Sequence, residues 1–197
     1  MTAQPDFPGA RYLRRPQDPD LQQRWEKLRR LGIGENADRE FDEVAKNLAH
    51  ATGAPYAMVN FLSDRQQYFA GLYPASDVST SAAAAILRAE SVGRTMPLDH
   101  GFCPYVVERR LAYPLEDICD YPRFIGNPVI AKLNVRSYLG APLIDPRTNT
   151  VLGTVCVVVP HEPRSWGQEG VDLIKATAAD VVERINRRDE QRTRYPN

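Results

Sequence analysis

The sequence has no excess charge. Its 25 Lys and Arg balance 25 Asp and Glu, so it lacks the basic surplus of a dedicated nucleic-acid binder. It also has no long hydrophobic run. The most apolar stretch, VLGTVCVVV at 151–159, falls far short of the roughly 20 residues a helix needs to cross a bilayer. The first twenty residues, MTAQPDFPGARYLRRPQDPD, have no apolar segment of the kind a secretory signal requires. Cysteine is scarce. Three widely spaced residues are too few and too odd in number for a disulfide framework. His100 and Cys103 are the only close pair of metal-type ligands, where a zinc site needs three or four. No repeat of 20–50 residues is visible. These absences predict a reduced, cytoplasmic protein with no membrane segment, no metal and no nucleic-acid partner.

The chain has 197 residues, 43% of them hydrophobic, enough for one domain with a genuine core. Residues 1–19 carry Pro5, Pro8, Pro16 and Pro19 without periodicity and read as an extended arm. Leu21, Trp25, Leu28 and Leu31 then mark an amphipathic helix over 20–31. A second helix is predicted over 38–52, with Phe41, Val44, Leu48 and Ala51 on one face and Gly53 as its cap. The period shortens at 55–62 and 66–72, which read as two strands around a Ser63-Asp64-Arg65 turn. Residues 73–96 are ambiguous, and Ala82–Ala85 reads either as a helical turn or as a mobile insert.

Pro104 confines a short helix to about 102–110, with Cys103 near its first turn. A strand follows at 111–115. Asn127-Pro128 is a cap followed by an N1 proline, opening a short helix. Residues 135–144 and 151–159 are strands, the second apolar on both faces as a fully covered strand should be. Ser165 and Gln168 suggest a capping box before a last helix with Val171, Ile174, Ala178, Val181 and Ile185 inward. A charged tail is expected over 189–197. Antiparallel hairpins and long terminal helices argue for α+β: a sheet with long helices on one face and short, proline-shaped helices and loops on the other. A roof of short elements is a natural place for a ligand cavity.

GFCPYVV (101–107), LEDICDYPRFIGNPVI (115–130), VRSYLGAPLI (135–144) and VLGTVCVVV, in that order before a long helix, resemble a GAF domain over about residues 20–188. The match is nearest to bacterial sensor members. The resemblance implies a central six-stranded antiparallel sheet, a pocket on the short-helix face and a homodimer through the terminal helices. GAF domains bind cyclic nucleotides, bilins, haem, amino acids or other small molecules. Phe41-Asp42-Glu43 imitates part of a cyclic-nucleotide set, but the helical phase explains Phe41. YPASDV (73–78) resembles a bilin-site segment but lacks the following proline and the cysteine–histidine segment. No metal, bilin or haem signature is present, so the cofactor is unknown. In free methionine-R-sulfoxide reductases, which are GAF enzymes, Cys103 matches one cysteine. The segment Tyr121–Ala131, which should carry the nucleophile, has none.

The pocket candidates are His100, Phe102, Cys103, Tyr105, Asp117, Phe124, Arg136, Tyr138, Thr154 and Cys156. Alternation puts Thr154, Cys156 and Val158 on one strand face, and their softer chemistry assigns that face to the pocket. Arg136 and Tyr138 share a face in the same way. An arginine there suits a carboxylate or phosphate, unless Arg136 or Arg123 pairs with Asp117 to fix the loop. Cys103 and Cys156 are the redox candidates. Each is otherwise a small buried hydrophobe, and the aromatic candidates are as well explained by packing. Seven cations against three acids in 11–30 read as a solvated face.

The leading expectation is a non-enzymatic regulatory module that binds an unidentified small molecule between sheet and roof. With no kinase, cyclase or DNA-binding segment after the last helix, its output is expected to pass to a partner or a second copy. The alternatives are a thiol-based redox sensor or reductase-like enzyme using Cys103, and a dimerising scaffold with a vestigial pocket.

Overall fold

A computed structural model of the protein describes residues 16–74 and 94–194. The helices are α1 (Leu21–Leu31), α2 (Arg39–Thr52), α3 (Cys103–Arg109), α4 (Pro128–Leu133) and α5 (Gly167–Arg194). The strands are β1 (Tyr56–Leu62), β2 (Gln66–Pro74), β3 (Thr95–Pro97), β4 (Tyr113–Leu115), β5 (Val135–Asp145) and β6 (Thr150–Pro160). Two 3₁₀ turns, Ile118–Asp120 and Pro122–Phe124, lie between β4 and α4. The expectations for the arm over 1–15, for the helical turn at Ala82–Ala85 and for most of YPASDV fall outside the described residues.

All strand pairings are antiparallel, in the order β3-β2-β1-β6-β5-β4. This is the α+β architecture expected. β6 is central and apolar on both faces because both are covered. Val155, Val157 and Val159 face a core shared with α1, α2 and α5. Cys156 and Val158 face the other, built with α3, α4 and the 3₁₀ turns. Helix α2 starts where the Asp38 side chain accepts hydrogen bonds from the Glu40 and Phe41 amides, and stops at Gly53 in the left-handed conformation. It lies so close to β2 that a Cβ on Gly71 would sit 2.3 Å from the Phe41 carbonyl oxygen.

Helix α1 departs from its expected phase. Arg24 is fully buried and Trp25 is 41% exposed. The Arg24 guanidinium donates to the carbonyls of Leu62 (2.9 Å) and Val151 (2.8 Å) and pairs with Asp18. Its fork joins the ends of β1 and β6 beyond the point, at Asn60 and Thr154, where those two strands stop pairing, so the cation belongs to the core and the indole does not. Lys27 is also turned inward, donating to the buried Asp145 and to Asn186, each at 2.7 Å. The basic run is therefore not a uniformly solvated face.

The last helix differs at both ends. No capping box forms. Ser165 Oγ donates to Glu116 (2.8 Å) and Gln168 to Asp172. Glu116, from after β4, accepts the Trp166 amide and caps α5 from outside the helix. At the other end α5 continues helical to Arg194. Asp189 pairs with Arg30 at 2.9 Å, Glu190 pairs with Arg147, and Arg192 donates to the Arg30 carbonyl. The charges expected in a tail are thus pairing groups. Among the described residues, no helix is long and apolar enough to cross a membrane.

Replacing Arg24 by Met strands two carbonyls and a carboxylate, and should lower stability by about 3 kcal/mol. Trp25→Ala should stay within about 0.5 kcal/mol of wild type, as exposed substitutions do. Urea unfolding of both variants checks the reversed roles of these neighbours.

Arg188 of α5 joins Asp38 and Glu40 at the start of α2. Hydrogen bonding to Arg188 holds the Glu40 carboxyl below its ordinary 4.5. Burial pushes Asp38 up, but Arg188 and the Phe41 and Glu40 amides bring it below its ordinary 3.8. Carboxyls depressed by folding add stability above their unfolded pKa and lose it as pH falls through the folded one. Unfolding measured from pH 7 downward should therefore steepen below about pH 4.5. Arg188→Gln should flatten that limb and cost about 1 kcal/mol at neutral pH, the scale of a partly exposed ion pair.

Candidate functional site

The short-helix face is organised around Phe124. This fully buried ring meets Phe102 edge-on with centroids 5.0 Å apart and Tyr105 at 5.1 Å. The Arg123 guanidinium lies 4.8 Å over it. Asn127 accepts the Val129 amide as the cap of α4 and exchanges two hydrogen bonds with the Gly101 backbone. That clamp holds the start of α3 against the start of α4. Pro104 in the first turn of α3 fixes where that helix begins, which sets Cys103 over the sheet.

Beneath this roof is a cavity of about 50 Å³. Its floor is Tyr56 and Met58 of β1, Phe69 of β2, Tyr138 of β5 and Cys156 of β6; Phe102, Cys103 and Val129 close it from above. Its outer wall is formed by the partly exposed Met96, Gly101, Leu133 and Pro160. The volume holds a few water-sized molecules, whereas pockets for drug-sized ligands run to about 300–1,000 Å³. The roof thus leaves a hollow, but one smaller than a metabolite.

At one end of the cavity the Cys103 and Cys156 sulfurs lie 3.7 Å apart, with Tyr138 Oη 3.4 Å from Cys103 Sγ and Met58 Sδ 3.7 Å from Cys156 Sγ. The tyrosine reaches this spot because Gly140 leaves it room. A Cβ on Gly140 would sit 2.2 Å from the Tyr138 hydroxyl. Gly140 is also paired with Cys156 in the sheet, so the missing side chain opens the space between the ring and the thiols. Thr154 and Asn60, fully buried and opposite each other on β6 and β1, bring a hydroxyl and an amide to the Cys103 sulfur. The Asn60 amide also donates to Gln67 at 2.9 Å, and Gln67 in turn donates to the Pro97 and His100 carbonyls, each at 2.8 Å.

This setting separates the two thiols. A hydrogen bond from Cys156 outweighs burial and, with Thr154, Tyr138 and Asn60, lowers Cys103 to about 6. Cys156 is pushed well above the ordinary thiol value by its contact with Cys103 and by burial. The contact thus favours the thiolate on Cys103 and the protonated thiol on Cys156. Cys119, in the first 3₁₀ turn, is exposed.

Of the residues singled out in the sequence, Phe102, Cys103, Tyr138 and Cys156 line the cavity. The other six lie off its wall. Thr154 sits behind it, beside the Cys103 sulfur. Phe124 and Tyr105 pack behind Phe102. His100 turns outward to Asp99 at 2.7 Å and presents only its carbonyl inward. Arg136 and Asp117 form a two-pronged ion pair, at 3.1 and 2.6 Å, which fixes the loop after β4. The cause is a bulge. The β5–β6 register shifts between Val135 and Ser137, the additional residue breaks the alternation, and Val135 takes the cavity position that Arg136 was expected to hold. Sequence reasoning missed Tyr56, Met58 and Phe69. Alternation along β1 carried the signal, since the polar or soft Tyr56, Met58 and Asn60 alternate with Ala57, Val59 and Phe61 of the opposite core. Among the described residues, no group of three or more His, Cys, Asp and Glu is placed to hold a metal ion.

A sequence model of the GAF domain matches residues 36–185. No curated protein matches the sequence. Among solved structures, the GAF domain of an Acinetobacter phosphoenolpyruvate-protein phosphotransferase is similar at a TM-score of 0.56 and 17% identity, over 87% of this chain and 95% of that one. The PixJ GAF domain of Thermosynechococcus elongatus, in its blue-light absorbing form, gives 0.54 and 13%, over 91% and 96%. A type II free methionine-R-sulfoxide reductase from Thermoplasma acidophilum gives 0.55 and 9%, over 75% and 91%. At these identities the likeness is one of fold.

Titration of the thiolate absorbance in a Cys119→Ser chain should show a first step at about 6, and Tyr138→Phe should move it upward by removing a donor. Gly140→Ala, which drives the ring off the thiols, should cost about 2 kcal/mol in urea unfolding, as over-packing does.

Proposed function

The chain belongs to the GAF domain family, and we propose that it is a regulatory sensing module of that family. In this reading it is non-enzymatic and takes its signal at the cavity between the sheet and the short-helix roof. The observation that carries this reading is the cavity itself, closed over by short elements and reaching the sheet's central strands. GAF domains are sensors of small molecules or signals, and a hollow of about 50 Å³ limits this signal to a molecule of a few heavy atoms.

The output path follows from the two-faced strands. Tyr138 and Cys156 face the cavity, while Leu139, Val155 and Val157 on the same strands face α2 and α5. At the end of β5, Asp145 accepts hydrogen bonds from Lys27 of α1 and Asn186 of α5. A shift of β5 or β6 against the roof therefore reaches both terminal helices. Their outer sides, including the exposed Trp25, present the output to a partner or to a second copy of the chain in a homodimer.

Thermal-shift measurements with small thiols, aldehydes, dissolved gases and oxidants test the input. Ligands of this size should shift the melting temperature, and Val129→Phe, which fills the cavity, should abolish the shift while leaving the circular dichroism unchanged. Absence of any shift, or an equal shift in the filled variant, would overturn the reading.

A further inference from the structure

Cys103 and Cys156 are both buried free thiols. They sit at a cavity, in contact with each other, and beside polar atoms that find no other partner. Thr154 Oγ1 and Asn60 Oδ1 are buried and make no hydrogen bond of normal geometry. The placement joins two distant parts of the chain. Cys103 opens α3 in the roof, and Cys156 is central in the sheet, 53 residues on.

We propose that Cys103 and Cys156 are a peroxide-responsive couple, closing to a disulfide when a small hydroperoxide enters the cavity and reopening on reduction by a dithiol. This deepens the sensing role above by naming its signal, and it rests on the cavity being the input site.

The chemistry balances within the site. The Cys103 sulfur, as thiolate, attacks one oxygen of the hydroperoxide, and the O–O bond breaks. The other oxygen leaves as hydroxide and takes up the proton given off when Cys103 ionised, forming water. Cys103 is then a sulfenic acid. The Cys156 sulfur attacks the Cys103 sulfur, the S–OH bond breaks, and the departing hydroxide takes the Cys156 proton as a second water. Each sulfur has lost one electron and the peroxide has gained two. The lowered pKa of Cys103 makes it the attacking sulfur, and the protonated Cys156 supplies the resolving thiol. The Tyr138 hydroxyl, 3.4 Å from Cys103 Sγ, is placed to donate to the leaving oxygen.

The sulfurs must approach from 3.7 Å to the roughly 2.05 Å of a disulfide. Most of that movement falls to α3, since β6 is held on both sides by β1 and β5. Oxidation would therefore pull the roof onto the sheet. The cavity also sets selectivity, because hydrogen peroxide fits a space of this size and a bulky organic hydroperoxide does not.

The full chain carrying Cys119→Ser is treated with hydrogen peroxide or cumene hydroperoxide, quenched, denatured and alkylated. Hydrogen peroxide should yield a peptide pair linking Cys103 to Cys156, with loss of two hydrogen atoms from the intact mass and recovery on adding dithiothreitol. Cumene hydroperoxide should give little of it. In Cys156→Ser the reaction should stop at a Cys103 sulfenic acid trapped by dimedone, and circular dichroism reports whether that variant is folded. The Cys119→Ser chain alone is decisive. Recovery of both thiols in alkylated form after hydrogen peroxide, or equal reaction with cumene hydroperoxide, would overturn the proposal. A thermal shift by a non-oxidising small ligand in the same chain would leave the sensing role standing without it.

Discussion

The double burial of β6 is the constraint on which the rest of the molecule turns. A central strand covered on both faces must present an apolar surface to each. Its two faces meet different partners. The long helices α2 and α5 cover one, with α2 so close to the neighbouring strand β2 that only a hydrogen fits at Gly71. Short helices shaped by Pro104, Pro122 and Pro128 cover the other. Helices of six and seven residues cannot lay a continuous ridge along a twisted sheet, so packing on that side is completed by an aromatic cluster around Phe124 and leaves a hollow beside it. The site is a consequence of that asymmetry.

Within the hollow the chemistry is set by what lacks a charged neighbour. Cys103, Cys156, Tyr138, Thr154 and Asn60 are all buried, and the cations of the face are engaged elsewhere. Arg136 is tied to Asp117 and Arg123 lies on aromatic rings. Negative charge on Cys103 is held by neutral donors alone, which suits a reactive thiolate better than a binding site for a preformed anion. The buried ions are instead on the long-helix side and at the sheet ends, where Arg24 and Lys27 fasten α1 to strand termini. Polar chemistry on one side holds the terminal helices, and polar chemistry on the other meets the cavity, with the central strands between them.

Much of this was legible in the sequence where a local rule and the tertiary environment agreed. The cap at Asn127, the N1 prolines, the apolar run of β6 and the alternation that set Cys156 opposite Val155 all follow from backbone chemistry a few residues long. Cys103 and Cys156 were singled out one at a time, and no rule a few residues long brings a helix start against a strand 53 residues on. Arg24 was misread because an arginine's place is decided by the strand ends it can reach, which are distant in sequence. Arg136 was misassigned because a one-residue bulge is invisible to a rule of strict alternation. Ser165 followed a capping pattern, but Glu116 arrived from another segment and took the role. The volume of the cavity was beyond any sequence rule, since it depends on how closely the aromatic rings of the roof settle.

Xenon-pressurised crystals test the hollow most directly, because a small apolar cavity takes up xenon where a filled core does not. A single xenon peak beside Tyr138, Cys156 and Val129 is predicted, lost in Val129→Phe. No bound xenon between sheet and roof, or an unchanged peak in the filled variant, would contradict it.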